Sequence, residues 1–371
     1  MSRSRLYIET DVLTEAKKRL NHVLDVFDGV VVAFSGGKDS LACLHLMREV
    51  MDERGDQRPV KAVFRDEEII PDAVVDFVAK YMDDPRFDIE WWAVPMESQR
   101  YILGQFFDFV TFDPNRDPVR EPPAYALRSD DLGLSPTTTV DQHLADDLII
   151  RNIKGKACIV TGVRAAESIL RYRSCVNKLH ENYIVASSSK RGMMARPIFD
   201  WQENDVFRYF YDRGIDYAPC YDAQGWSGER MRVSTPLHAE SAKHLPQLRE
   251  HAPELYERVV TLFPETQVQE RYYREFDQEG LILEYSKSWD AIYAWLDENI
   301  TDPGMRKQAL KEYRSVKARA QLQPESYPLE HVLKALIANS GHRVVQPMRP
   351  DDAVKLSESW TRRRTKRKEQ P

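Results

Sequence analysis

A chain of 371 residues is longer than one ordinary domain of about 100 to 200 residues, so two structural units are expected. With 42% hydrophobic and 30% charged residues the composition is that of an ordinary soluble protein, and no apolar run approaches the ~18 residues of a membrane helix, which excludes a spanning protein. The formal net charge of −6 hides a cationic end: Arg362, Arg363, Arg364, Lys366, Arg367 and Lys368 stand against Glu369 alone in the last eleven residues. Such a tail contacts nucleic acid through phosphates or is a solvated end, and composition leaves both open.

The opening Met1-Ser2-Arg3-Ser4-Arg5 is followed by the mixed stretch Leu6 to Leu20 rather than an apolar core, so a cytoplasmic protein is expected. Asp11 to Phe27 places Leu13, Ala16, Leu20, Val23, Leu24 and Phe27 at helical spacing, with Thr10 or Asp11 as N-cap. Val30 to Phe34 is an apolar, β-branched run that ends at a glycine pair, and Leu41, Leu44 and Met47 follow at helical spacing. The same pattern repeats with a strand over Val60 to Arg65, a loop over Asp66 to Ile70 and a helix over Ala73 to Tyr81. Further strands are predicted over Ile89 to Val94 and Ala157 to Gly162. Between them Phe106 to Thr139 is too rich in proline for regular structure, and its arginine-bearing middle suits an active-site cover.

Strands alternating with helices predict an α/β fold with a doubly wound, mostly parallel sheet, whose ligands bind where loops leave the carboxyl ends of the strands. Three regions are expected: an α/β nucleotide-binding domain over residues 1–235, a helical C-terminal region over 236–350 and the basic tail 351–371. In the second, helical spacing runs through Ala239 to Phe263, Glu265 to Asp277, Ser288 to Glu298, Arg306 to Ala320 and Leu329 to Asn339. The four cysteines, Cys43, Cys158, Cys175 and Cys220, lack the spacing of a zinc site or disulfide framework. They read as small buried apolar residues, and an iron–sulfur cluster is not expected.

The chemistry concentrates at Ser35-Gly36-Gly37-Lys38-Asp39-Ser40. Gly36 and Gly37 permit a tight turn and close approach of a ligand, while the first N–H groups of the following helix favour phosphate oxygens. Ser35 and Ser40 offer hydroxyls, Lys38 a positive charge, and Asp39 is the candidate for Mg²⁺ or for capping the helix. The spacing departs from GxxxxGK[ST], which disfavours a kinase or GTPase. Gly162 ends a strand at the same sheet edge, and Arg171 lies seven residues beyond Arg164, so on one helix both guanidiniums would face one anion. Phe199 and Trp201 read as core rather than base-stacking residues.

The loop resembles the PP-loop of the adenine nucleotide alpha hydrolase (HUP) superfamily. The chain is similar to its phosphoadenosine phosphosulfate (PAPS) reductase family, nearest the IbrA-like branch, on Phe64-Arg65-Asp66, Thr161-Gly162-Val163-Arg164-Ala165-Ala166-Glu167-Ser168 with Arg171, and Pro197-Ile198-Phe199-Asp200-Trp201 with Asp205-Val206-Phe207. The resemblance covers roughly residues 11 to 240 and places Asp66 near the nucleotide. It implies an enzyme that binds ATP or PAPS. The favoured reaction cleaves the α–β bond of ATP, through Lys38, Asp39, Arg164 and Arg171, to adenylate an acceptor, with a nucleic-acid or nucleotide target permitted by the tail. The alternatives are a sulfonucleotide enzyme and a nucleotide-binding subunit beside a ParB-like partner. One departure weighs against thiol-based PAPS reduction: that family's Glu-Cys-Gly-Leu-His segment has no counterpart, and Ser241 to Pro371 contain no cysteine.

Overall fold

The computed structural model describes residues 9–102, 105–175, 183–226, 233, 235–237, 248–250, 252–264, 278–300, 303–339 and 344–369. They belong to two compact units, one of Met1–Ser98, Asp108–Pro236 and Gln247–Leu262, the other of Gln99–Phe107, Leu237–Pro246 and Phe263–Pro371.

In the first unit, helix α1 (Val12–Val26) starts where the Asp11 carboxylate accepts the Thr14 N–H at 2.9 Å, and it buries Ala16, Leu20 and Val23. Strand β1 (Gly29–Phe34), helix α2 (Lys38–Glu53), strand β2 (Val60–Arg65), helix α3 (Asp72–Met82) and strand β3 (Phe87–Trp92) follow as two successive crossovers. The third strand is shifted back from its predicted span. After Trp92 the chain leaves β2, and the Ala93 N–H donates to the Leu127 carbonyl at 2.9 Å.

Strands β4 (Met96–Ile102) and β5 (Gln105–Thr111) pair as a separate two-stranded sheet. This corrects the irregular segment expected from Phe106: the aromatic, β-prone stretch before the first proline is strand, and the proline-rich part begins only at Pro114. Helix α4 (Gln142–Ile149), strand β6 (Ala157–Val160), helix α5 (Ile169–Cys175), strands β7 (Ile184–Ala186) and β8 (Met193–Ala195), and helices α6 (Glu203–Arg213), α7 (Cys220–Trp226) and α8 (Pro253–Leu262) complete the unit.

The six-stranded sheet has the order β3-β2-β1-β6-β8-β7, parallel throughout except for the β7–β8 pair. Both faces are covered, which is why its strands read as continuous apolar runs. Val32, Phe34, Ala62, Phe64, Cys158 and Val160 face one core with α1, α2 and α6. The alternate residues Val31, Val63, Ala157 and Ile159 face a second with Leu148 and Ile149 of α4. The chain runs outward in one direction from β1 and in the other from β6, so the sheet is doubly wound and its switch point lies between these strands.

The C-terminal part of the second unit holds the helices α9 (Gln278–Tyr285), α10 (Trp289–Asn299), α11 (Pro303–Leu322), α12 (Leu329–Asn339) and α13 (Pro350–Glu369). Ile282, Leu296, Val316, Leu333 and Leu336 form its core. The expected helix over Glu265 to Asp277 lies outside the described residues. The basic tail is not a loose arm up to Glu369: α13 buries Ala353 and Trp360, and Arg364 reaches Glu330 at 2.8 Å and the Ser286 hydroxyl at 2.9 Å. Apolar burial and one ion pair thus hold a strongly charged helix to the core. Among the described residues no helix is long and apolar enough to cross a membrane.

Candidate functional site

The switch point brings two loops together, Ser35–Ser40 after β1 and Thr161–Ser168 after β6. Gly36 turns the chain at φ +70°, where a Cβ would sit 2.7 Å from Val78 and 2.9 Å from Val74 of α3. Gly37 is the N-cap of α2. The two serines tie the turn together: the Ser35 N–H donates to Ser40 Oγ at 3.1 Å, the two hydroxyls lie 3.0 Å apart, and Ser40 Oγ donates to the Gly37 carbonyl at 2.9 Å. Their hydroxyls therefore brace the loop rather than project freely from it.

Gly162 packs directly on this structure. A Cβ there would lie 2.5 Å from the Asp39 carbonyl carbon and 2.7 Å from the Ser40 nitrogen, both backbone atoms that cannot rotate away. Gly162→Ala therefore has to push the two loops apart, and we expect a loss of about 2 kcal/mol in urea unfolding. A variant as stable as the wild type would show that the approach is not tight.

Lys38 and Arg164, both buried, meet at Asp39. Arg164 Nε donates to Asp39 Oδ1 at 2.6 Å, and Lys38 Nζ lies 3.5 Å from Asp39 Oδ2 and 3.2 Å from Glu203 Oε1 at the start of α6. Burial raises the Asp39 carboxyl above its ordinary value, and Lys38 and Arg164 offset only part of that rise. In this arrangement Lys38 and Arg164 both pair with Asp39, the carboxylate expected to hold Mg²⁺. Among the described residues no group of three or more His, Cys, Asp or Glu is placed to hold a metal.

Arg171 departs from expectation. The chain does not enter a helix at Arg164: the Arg164 N–H donates to the Glu167 carboxylate at 2.9 Å, and α5 starts only at Ile169, where Ser168 accepts the Arg171 N–H at 3.2 Å. The seven-residue offset therefore spans a loop and a helix, and the two arginines share no helical face. Arg171, about half exposed, pairs with Glu167, whereas Arg164 turns inward to Asp39. Glu167 is the link between them.

Asp66 lies at the same sheet edge, at the end of β2, and its carboxylate is fully committed. It accepts Trp91 Nε1 at 3.0 Å, the Glu68 N–H at 2.8 Å and Arg120 Nη2 at 2.6 and 2.7 Å. Glu68, buried and held at φ +62°, does the same for the segment beyond β5, accepting the Phe112 N–H at 2.6 Å, the Val119 N–H at 2.7 Å and both terminal nitrogens of Arg116. Two buried ion pairs thus strap residues 112–120 across the end of β2. The left-handed backbone at Glu68 and Phe112 is strain of about 1–3 kcal/mol each that these bonds hold in place.

Sequence reasoning noted the arginines of this segment but not their partners. It also missed Glu203 and Tyr221: the Lys38 N–H donates to Tyr221 Oη at 2.9 Å, and Lys38 Nζ lies 5.2 Å above the Tyr221 ring. Phe199 and Trp201 are packing residues, as read: Trp201 is buried with its indole N–H on the Val12 carbonyl, and the Arg19 guanidinium lies over Phe199. Cys43, Cys158 and Cys220 are not activated. Burial pushes Cys43 far up, Cys158 to about 12 and Cys220 to about 11. Cys175 is completely buried, with Arg196 Nη1 3.6 Å from its sulfur.

Residues 141–302 match the family model of the phosphoadenosine phosphosulfate reductase domain. Uncharacterized protein YbdN of Escherichia coli (strain K12) is 24% identical over 259 residues, 66% of this chain and 63% of that protein, so the chain spans less than two thirds of that relative. Among solved structures, the PAPS reductase of Candida auris in its phosphate complex is 14% identical over 60% of this chain and 88% of that one, with a TM-score of 0.33. Candida glabrata FMN adenylyltransferase with ATP is 12% identical over 59% and 62%, with a TM-score of 0.37. The U34-tRNA thiolase NcsA of Methanococcus maripaludis, with its [4Fe-4S] cluster, is 16% identical over 72% and 80%, with a TM-score of 0.30.

Proposed function

We propose, with the match of residues 141–302 to the PAPS reductase domain model in support, an enzyme that binds ATP at the Ser35–Ser40 loop, cleaves between the α- and β-phosphates, and passes AMP to an acceptor. The observation that supports it best is the convergence of Lys38 and Arg164, both buried, on the first turn of α2. Two desolvated cations at a helix N-terminus hold a polyanion far better than the same charges in water. An entering phosphate chain would replace the Asp39 and Glu203 carboxylates as their counter-charge.

In the reaction the acceptor oxygen attacks the α-phosphorus, the bond to the bridging α–β oxygen breaks, and its electron pair leaves with pyrophosphate. Negative charge grows on the α-phosphoryl and leaving oxygens, where Lys38, Arg164 and the loop N–H groups stabilise it. Arg171, about half exposed and paired with Glu167, is assigned the outer end of the ligand in this reading.

A sulfonucleotide reading has the family match behind it. It requires a thiol, and the raised Cys43, Cys158 and Cys220 leave little thiolate near neutral pH, so an external thiol would have to take the sulfonate. An acceptor on a nucleic acid suits α13, whose Arg362 and Arg363 are exposed. Incubation with ATP should release pyrophosphate once the acceptor is supplied, and RNA, DNA and nucleotides are the first acceptors to test. Sulfite release from PAPS with added thiol, and no pyrophosphate from ATP, would replace this reading with the sulfonucleotide one.

A further inference from the structure

The Ser35–Ser40 loop makes one of its helix-start bonds to a side chain from far along the chain. Lys38 opens α2, and its backbone N–H is among the donors that a helix N-terminus offers to an anion. That N–H donates to the Tyr221 hydroxyl at 2.9 Å. The same oxygen lies 3.2 Å from where a Cβ on Gly37 would be, so the phenol tip rests against the glycine turn itself. Tyr221 is 2% exposed, and its ring underlies the Lys38 ammonium. The ammonium meets the Glu203 carboxylate as well, so each of these two Lys38 donors faces an oxygen from the α6–α7 region. Burial raises the Tyr221 phenol well above its ordinary value, and it stays a neutral hydroxyl.

We infer that Tyr221 is a built-in occupant of the phosphate position, and that a polyphosphate ligand must displace its hydroxyl from the Lys38 N–H and move the start of α7. The inference rests on the reading that the Ser35–Ser40 loop binds phosphate. It adds that binding is an exchange: the ligand oxygen takes over a bond the protein makes to itself, and the free energy of that bond is subtracted from the affinity. The exchange also couples the loop to the residue beside the tyrosine. Cys220 opens α7 and is partly exposed, whereas Cys43, Cys158 and Cys175 are fully buried, so Cys220 reports on movement of this turn.

Two measurements on the full chain test it. In calorimetry, Tyr221→Phe should bind ATP and inorganic pyrophosphate about five- to tenfold more tightly than the wild type, because the ligand-free variant leaves the Lys38 N–H without its hydroxyl acceptor. In the wild type, saturating pyrophosphate should speed alkylation of Cys220 by a maleimide several-fold, with Cys220→Ser as the blank. The second measurement needs no variant at position 221 and stands if that variant fails to fold. Wild-type binding with weaker or equal affinity in Tyr221→Phe, or with unchanged or slower labelling of Cys220, overturns the exchange and leaves the phosphate site intact. Absence of binding to the wild type overturns both.

Discussion

Lys38→Ala is expected to lower the affinity for ATP by about 10- to 100-fold, the value of a charge-assisted hydrogen bond made in a desolvated site. The side chain is almost wholly buried at the first turn of α2, so its charge is screened little by solvent. Removing it leaves Asp39 paired with Arg164, and the fold should survive because no apolar core residue is touched. Calorimetry on wild type and variant, with circular dichroism to confirm folding, makes the comparison. Equal affinity in a folded variant would mean that phosphate binds elsewhere.

Glu68→Ala should be the more damaging change to stability. Its carboxylate receives two backbone N–H groups and both ends of the Arg116 guanidinium, and it is 1% exposed. Deleting one partner of a buried pair costs about 3–5 kcal/mol, because the other groups are left desolvated without a counterpart. The left-handed backbone at residues 68 and 112 would then lose the bonds that hold it. Urea unfolding measures the loss, and a value below about 1 kcal/mol would show that the strap over β2 is held by something other than these pairs. If the strap covers the nucleotide, the same variant should also release ATP faster in stopped flow.

The parts of this molecule with a local physical signal could be read from its sequence. Val60 to Arg65 stands as predicted, Asp11 caps its helix, and the Ser35–Ser40 turn sits between a buried strand and a helix, because each depends only on neighbours in the chain. The start of α5 was harder: a Gly-x-Arg run followed by Glu, Ser and Arg has helical composition, yet the Arg164 N–H turns to the Glu167 side chain and delays the helix to Ile169. Tyr221 and Glu203 carry no local mark, since only the sheet order brings them back to a loop more than 160 residues earlier. Asp66 was placed at the right edge, but its partner Arg120 lies across a non-local contact that composition cannot specify. The basic tail carries a local signal of its own: Ala353, Leu356 and Trp360 fall at helical spacing among its charges.

Lys38, Arg164 and the start of α2 are proposed to form the seat of a nucleotide's phosphates. Titration of the purified wild-type chain with ATP, and separately with PAPS, in a calorimeter addresses it most directly. A saturable heat is expected with at least one of them, lost or strongly weakened in Arg164→Ala; the absence of a saturable heat with both nucleotides, from a folded protein, would contradict this seat.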